Sequence, residues 1–208
     1  MTIVDISWPI STVTTGYKDK KVVNFTEVKE FNKDGARETT ITVSSHTGTH
    51  VDAPSHFLKD GKTIDQIQLE RLMGQAVVLD LTDVTDAITR EHLLVHDAII
   101  NEHDIVLLKT ANSNTQPTEP FTPHFIYLHI SGARYLAEKQ IKAVGIDYLG
   151  IERSQPDHET HVELFTHDVV IIEGLRLGHV HPGRYEFYCL PLNIIGLEAA
   201  PARAILVE

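Results

Sequence analysis

The chain has 208 residues, of which 42% are hydrophobic and 23% charged, the mixture of an ordinary soluble globular protein. An excess of 29 Asp and Glu over 18 Lys and Arg gives a formal charge of −11, which repels nucleic acid and attracts divalent cations. A single cysteine, Cys189, excludes an intrachain disulfide and indicates a reducing compartment.

The N-terminal segment MTIVDISWPI contains no basic region followed by an apolar one, so it does not have the pattern of a signal peptide. No apolar run in the chain approaches the roughly 18 residues of a membrane span. We therefore predict a cytoplasmic protein that acts on a small molecule and binds neither membranes nor nucleic acid.

Strand-like segments dominate the chain. They are rich in Val and Ile, are bounded by Gly, Pro, Asp and Asn, and several are continuously apolar, which predicts burial on both faces. The predicted strands cover 38–45, 76–81, 104–110, 142–147, 168–174, 186–192 and 202–208.

Helical signals are fewer. Thr63 and Gln66 have the spacing of a capping box, and Gly74 would end that helix. Ser131 is the predicted N-cap of another helix, which carries an apolar stripe. The predicted helices cover 63–74, 89–99 and 131–141. This pattern predicts one α/β or α+β domain over 1–208 with a mixed, mainly β sheet and few helices.

Two of the predicted strands share a local pattern. EHDIVLLKT (102–110) and THDVVIIEG (166–174) both read His-Asp, four aliphatic residues and a polar residue. Each is predicted to begin in a turn and to end at a polar edge of the sheet. The final residues, Lys109 and Glu173, would then lie where active-site groups are often found.

The segment HTGTHVDAPSHF (46–57) concentrates three histidines and an aspartate. His46 and His50 are four residues apart, but Gly48 opposes a helix by about 1 kcal/mol and Pro54 follows. The metalloprotease pattern HExxH also fails, because Thr47 stands where it requires glutamate. An extended strand that enters a turn at Gly48 agrees better with these residues.

In an extended strand, His50 and Asp52 point to one face while Val51 points to the core. The turn at Gly48 can bring His46 beside them. Two imidazoles and a carboxylate suit Zn²⁺ or Mn²⁺ and leave positions open for water. The alternative is a polar loop in which the histidines only form hydrogen bonds.

The same segment resembles the HxGTHxDxPxH signature of the metal-dependent cyclase family, which includes bacterial kynurenine formamidases and isatin hydrolases. Further resemblance covers nearly the whole chain, through VDISWPI, LLKT, KAVGID, IIEGLRLGHV and the tail PLNIIGLEAAPARAILVE. The resemblance implies an α/β domain of the swivelling β/β/α type that assembles as a homodimer or homotetramer.

For the site, the resemblance implies two divalent metal ions per chain, Zn²⁺ in the first place and Mn²⁺ as the alternative. Asp52 would bridge the ions, and His56 matches the catalytic acid or base of the family. The ligands that the resemblance implies are His46, His50 and Asp52 for one ion, and Asp52, His161 and Glu173 for the other.

Several histidines remain outside this set. His167 is predicted to have a structural role in a turn and His158 to be a solvated loop residue, while His179 and His181 are predicted to lie in a loop or at a subunit contact. The chain also departs from kynurenine formamidases near its N-terminus. The position of their substrate-contacting tryptophan falls at Tyr17, and the Pro-Gly-Asp that follows it there is absent.

The resemblance implies a metal-dependent hydrolase that opens an amide, lactam or ester bond of a small aromatic substrate by attack of metal-bound hydroxide. The first candidate is an arylformamidase that converts N-formylkynurenine to kynurenine and formate, with Tyr17 in contact with the substrate. The alternatives are an isatin or lactone hydrolase, a cyclase or dehydratase of the same family, and a non-catalytic metal-binding module. His56 argues against the last, because a storage site needs no acid-base group.

Overall fold

The computed structural model describes residues 1–21 and 23–208. The helices are α1 Phe31–Asp34, α2 Arg90–Leu94, α3 Ile130–Glu138 and α4 Glu159–Thr166. The strands are β1 Ile3–Asp5, β2 Asn24–Lys29, β3 Glu38–Thr42, β4 His50–Asp52, β5 Met73–Asp80, β6 Ala87–Ile88, β7 Ile105–Lys109, β8 Tyr127–Leu128, β9 Ala143–Ile146, β10 Val170–Glu173, β11 Gly183–Pro191 and β12 Ala199–Val207. Because none of these helices is long and apolar enough, no described helix could cross a membrane.

The main sheet has eight strands in the order β1, β12, β11, β5, β7, β9, β10, β4. The central strands β5, β7, β9 and β10 are parallel, and their flanking strands β11 and β4 are antiparallel to them. Strand β4 pairs with both β10 and β12, so the sheet closes on itself like a barrel. The prediction of a mixed, mainly β fold with few helices is confirmed.

The parallel strands are buried on both faces, as their continuous apolar sequences predict. In β7, Val106 and Leu108 pack in the cluster beneath α3 and α4, whereas Ile105 and Leu107 pack in the interior of the closed sheet. All four side chains are fully buried. This double burial makes the parallel strands a rigid support for the residues that follow them.

The predicted helix over 63–74 is wrong. Gln66 Oε1 does accept a hydrogen bond from Thr63 N, but only single 3₁₀ turns form before β5 begins. Gly74 lies inside β5, paired with Phe187, at a φ of +115°. A capping box stabilises only a first turn, and the pairing of β5 with β11 decides the rest.

The other predicted helices are confirmed with different bounds. His129 is the N-cap of α3, and its Nδ1 accepts a hydrogen bond from the backbone N of Ser131, the residue predicted for that role. The predicted helix over 89–99 is α2 followed by a separate 3₁₀ turn at Asp97–Ile99. The sequence patterns missed α4, which carries His161.

Residues 24–42, comprising β2, α1 and β3, form a hairpin arm. Every residue of the arm is exposed, and within the described chain β2 and β3 pair only with each other. The predicted strand over 38–45 is therefore β3 of this arm, which ends at Thr42, and not a strand of the main sheet.

Candidate metal centre

Strand β4 presents its side chains to two opposite faces, as predicted. Val51 pairs with Ile172 of β10 and is fully buried in the interior cluster. His50 lies opposite Glu173 in the same ladder, and Asp52 shares the face of His50. Gly48 stands at a φ of +62°, in the left-handed region that a turn needs and that glycine adopts without strain.

The structure brings together all five residues predicted as metal ligands. Asp52 Oδ1 lies 3.0 Å from His46 Nδ1 and 3.5 Å from His50 Nε2. On its other side, Asp52 Oδ2 lies 3.7 Å from His161 Nε2, which is 3.5 Å from Glu173 Oε1. Two groups of potential ligands result, each with its atoms within 4.8 Å of one another, and Asp52 belongs to both.

The donors in these groups fit divalent cations. Both oxygens of Asp52 and the Nε2 of His50 are buried, and none takes part in a well-directed hydrogen bond within the described residues. Buried polar atoms without partners are unfavourable, and a bound cation would satisfy them. His50 Nδ1 lies 2.9 Å from Gly48 O, which directs the free Nε2 at the site. Imidazole and carboxylate donors suit Zn²⁺ and Mn²⁺.

The charges of the two groups also favour a cation. Burial opposes the protonation of His50, but Asp52 and Glu173 outweigh it and raise its pKa to about 9. The pKa of His161 is raised in the same way against burial, chiefly by Asp52. The site therefore attracts positive charge. A divalent ion that binds here must displace the protons of these imidazoles, so metal binding should release protons.

His56 lies next to both groups and belongs to neither. It is the last residue of a 3₁₀ turn that begins at Pro54, whose fixed φ helps to set the position of His56. Its ring centroid lies 4.4 Å from that of His46 and 5.9 Å from that of His161. Burial is the main cause that lowers the pKa of His56, which favours a neutral imidazole able to accept a proton.

A cavity of about 370 Å³ opens above these residues. Tyr17, the predicted substrate contact, lies on its wall, half-buried, with its ring edge-on to Phe121 at 4.9 Å. The aromatic side chains of the wall include Tyr17, His56, Phe57 and His158. Tyr17 and the potential metal ligands His46, Asp52, His161 and Glu173 thus line the same cavity.

Two further acid-base residues of the site were missed. Glu152 and His158 line the cavity, although His158 was predicted to be a solvated loop residue. Both precede or begin α4, the helix that the sequence patterns did not predict. Lys109, in contrast, donates to Val180 O at 2.7 Å and does not line the cavity.

His167 lies outside the site, as its predicted turn role requires. Its Nδ1 is 2.9 Å from Glu163 O at the end of α4, and its side chain is about half exposed. A carboxylate shared by two groups of buried ligands, at the base of an open cavity, defines a candidate binuclear metal centre.

Comparison with known proteins agrees with this class. Residues 4–153 match the family model described as "Putative cyclase". A kynurenine formamidase of Salinibacter ruber is 32% identical over 209 residues, which cover 99% of this chain and 97% of that protein. The chain belongs to the cyclase family, and the resemblance seen in the sequence is confirmed.

Solved structures show the same fold. A structure described as a predicted metal-dependent hydrolase from Bacillus stearothermophilus is 42% identical, with a TM-score of 0.87 over 99% of this chain and 97% of that one. Isatin hydrolase A from Labrenzia aggregata is 23% identical, with a TM-score of 0.86 over 99% of this chain and 93% of that one. At that identity the second similarity concerns the fold alone.

Proposed function

We propose that this protein is a metal-dependent hydrolase that cleaves an amide, lactam or ester bond in a small aromatic substrate. The observation that carries the proposal is the shared Asp52 carboxylate between two ligand groups, with the non-ligand His56 beside them in an open cavity. The similarity to a kynurenine formamidase over nearly the whole chain supports an arylformamidase as the leading activity. The reaction would convert N-formylkynurenine and water to kynurenine and formate.

The chemistry divides between the ions and the side chains. Divalent ions in the two groups would supply Lewis acidity and lower the pKa of a water from about 15.7 to about 7. His56 would accept the proton of the attacking water and return it to the leaving nitrogen or oxygen. A histidine with a lowered pKa is neutral near pH 7 and can therefore act first as a base and then as an acid.

The walls of the cavity would select a planar substrate. Phe57 and His158 stack at 4.1 Å with 25° between their planes, and they provide one aromatic surface. Tyr17 provides another, supported by Phe121. A tyrosine offers less area for stacking than a tryptophan and adds a hydroxyl that needs a partner. The substrate therefore need not be the one that kynurenine formamidases prefer.

The same site could serve isatin, a lactone or a cyclisation, and a non-catalytic metal-binding module is the alternative from another class. We expect the Zn²⁺- or Mn²⁺-loaded protein to hydrolyse N-formylkynurenine with a higher kcat/KM than isatin or simple aryl lactones. A chelator should abolish the activity and added metal should restore it. The measurement is a hydrolysis screen of these substrates.

The outcomes of the screen separate the alternatives. If the protein hydrolyses isatin or lactones but not N-formylkynurenine, it is not a formamidase but is still a hydrolase. Absence of any hydrolysis by a fully metal-loaded protein contradicts the enzyme and favours the binding module. Tyr17→Ala should raise KM for the aromatic substrate more than it lowers kcat, because Tyr17 lines the cavity and would bind the substrate without reacting.

We also propose that the chain assembles as a homodimer or homotetramer through the hairpin arm. An isolated two-stranded hairpin is only marginally stable in water, yet the arm exposes Phe25, Val28, Phe31 and Ile41. Two ion pairs form within the arm, Lys29 with Glu38 and Lys33 with Glu30, both at 2.7 Å. A second copy can therefore meet the arm without the repulsion that the charge of −11 would otherwise cause.

Replacing the apolar pair of the arm should weaken the assembly. Phe25 and Ile41 lie directly opposite each other, and Phe25→Thr with Ile41→Thr keeps good strand formers at both positions. We expect light scattering to show a larger monomer fraction at micromolar concentration. Val95→Thr, at an exposed position outside the arm, is the control and should leave the mass unchanged. A wild-type chain that is monomeric contradicts the proposal.

A further inference from the structure

The carboxylate of Glu152 lies behind His161, on the side away from the metal groups. Its side chain is only 6% exposed. Glu152 Oε2 lies 2.9 Å from His161 Nδ1, an ion-pair contact and not a well-directed hydrogen bond, and it accepts a hydrogen bond from His161 N at 3.3 Å. Glu152 is therefore in contact with a predicted ligand through the ring nitrogen that faces away from Asp52.

His158 holds Glu152 from the solvent side. Its Nδ1 lies 2.5 Å from Glu152 Oε1, and its ring stacks on Phe57. The backbone around it is strained, because Ser154, Asp157 and His158 all have φ values between 51° and 53°. Such residues in the left-handed region are unfavourable and persist only where surrounding contacts hold them. The contacts of His158 with Glu152 and Phe57 are of that kind.

The two buried histidines of the ligand groups, His50 and His161, are oriented by different means. His50, in the first group, is directed by the backbone oxygen of Gly48, which no side-chain substitution removes. His161, in the second group, has the carboxylate of Glu152 at its outer nitrogen. A carboxylate at this position can accept a hydrogen bond from the ring N–H, which fixes the tautomer and makes the other nitrogen a better metal ligand.

We propose that Glu152 is a positioning residue that holds His161 for the second metal ion, and that His158 in turn holds Glu152. The proposal rests on the proposed metal-dependent function and adds that only one of the two ions depends on Glu152. The ion at Asp52, His161 and Glu173 depends on a side chain that can be replaced. The ion at His46, His50 and Asp52 does not depend on Glu152, because the carboxylate beside His46 Nε2 is that of Glu198, with its Oε1 at 3.3 Å.

Zn²⁺ binding to the wild-type chain and to Glu152→Gln tests this dependence. Calorimetric titration of metal-free protein and elemental analysis after dialysis against buffered Zn²⁺ give the number and the affinity of the ions. We expect two ions in the wild type. In Glu152→Gln, one ion should keep its affinity and the other should bind about 10–100-fold more weakly, the usual effect of removing such a partner. His158→Ala should weaken the same ion by a smaller factor.

A matched control separates positioning from loss of stability. Asp147 is another fully buried carboxylate, held by Thr110 and Ser113 away from the ligands. Asp147→Asn should lower the melting temperature and retain both ions. If Glu152→Gln fails to fold, Glu152→Asp, which keeps the charge on a shorter side chain, replaces it and should weaken the same single ion.

The remaining outcomes are distinguishable. Two ions of wild-type affinity in Glu152→Gln overturn the positioning role, and equal weakening of both ions overturns its selectivity. A wild-type chain that binds fewer than two ions overturns the binuclear centre itself. A wild type that binds two ions but hydrolyses no tested substrate contradicts the proposed function and leaves the positioning role to be decided by Zn²⁺ affinity alone.

Discussion

Asp52→Ala should remove both metal ions and lower kcat/KM by on the order of 10⁴-fold, the scale seen when one member of a catalytic unit is removed. The physical reason is that Asp52 faces both groups of ligands, with Oδ1 toward His46 and His50 and Oδ2 toward His161. The substitution also leaves three imidazoles close together without their shared negative partner. Elemental analysis and hydrolysis assays on protein purified without chelators measure the two effects.

His167→Ala is the control for Asp52→Ala. His167 is a histidine at the end of α4 whose side chain contacts Glu163, and it does not line the cavity. The His167→Ala protein should keep both ions and full activity. Asp52→Ala protein that still binds two ions would contradict the shared-carboxylate arrangement.

His56→Ala should keep the metal content of the wild type and lose about 10²–10⁴-fold in kcat, the contribution of a positioned acid-base group. His56 adjoins the ligands, with its ring 4.4 Å from that of His46, but it is not needed to complete either group. Its loss should therefore affect proton transfer and not metal binding. Single-turnover kinetics together with elemental analysis measure these two properties on the same preparation.

The control for His56→Ala is His46→Ala, a neighbouring histidine that belongs to a ligand group. His46→Ala should lose metal and activity together. If His56→Ala also sheds metal in parallel with activity, His56 is a ligand and the division of roles between the two histidines is wrong.

Agreement between sequence and structure is best where the relevant contacts are local. The spacing of His50, Val51 and Asp52 predicts their alternation because neighbouring residues of a strand necessarily point to opposite faces. Gly48 marks the turn because of its own conformational freedom. The predicted helix over 63–74 fails for the opposite reason. Its capping box forms, but the pairing of β5 with β11, contributed by a distant segment, decides the conformation beyond Arg71.

By itself, the sequence determined the buried strands, the turn into β4 and three side chains able to bind a cation, His46, His50 and Asp52. The strand pattern also put Glu173 at a polar edge, but the assignment of His161 and Glu173 as ligands came from the family resemblance, since no spacing connects them to Asp52. Only the tertiary structure decided that β10 lies beside β4, that the segment leading into α4 brings Glu152 and His158 to the cavity, and that the hairpin arm stands clear of the sheet. These features depend on the closure of the sheet between segments far apart in the chain, and local patterns carry no information about such pairing.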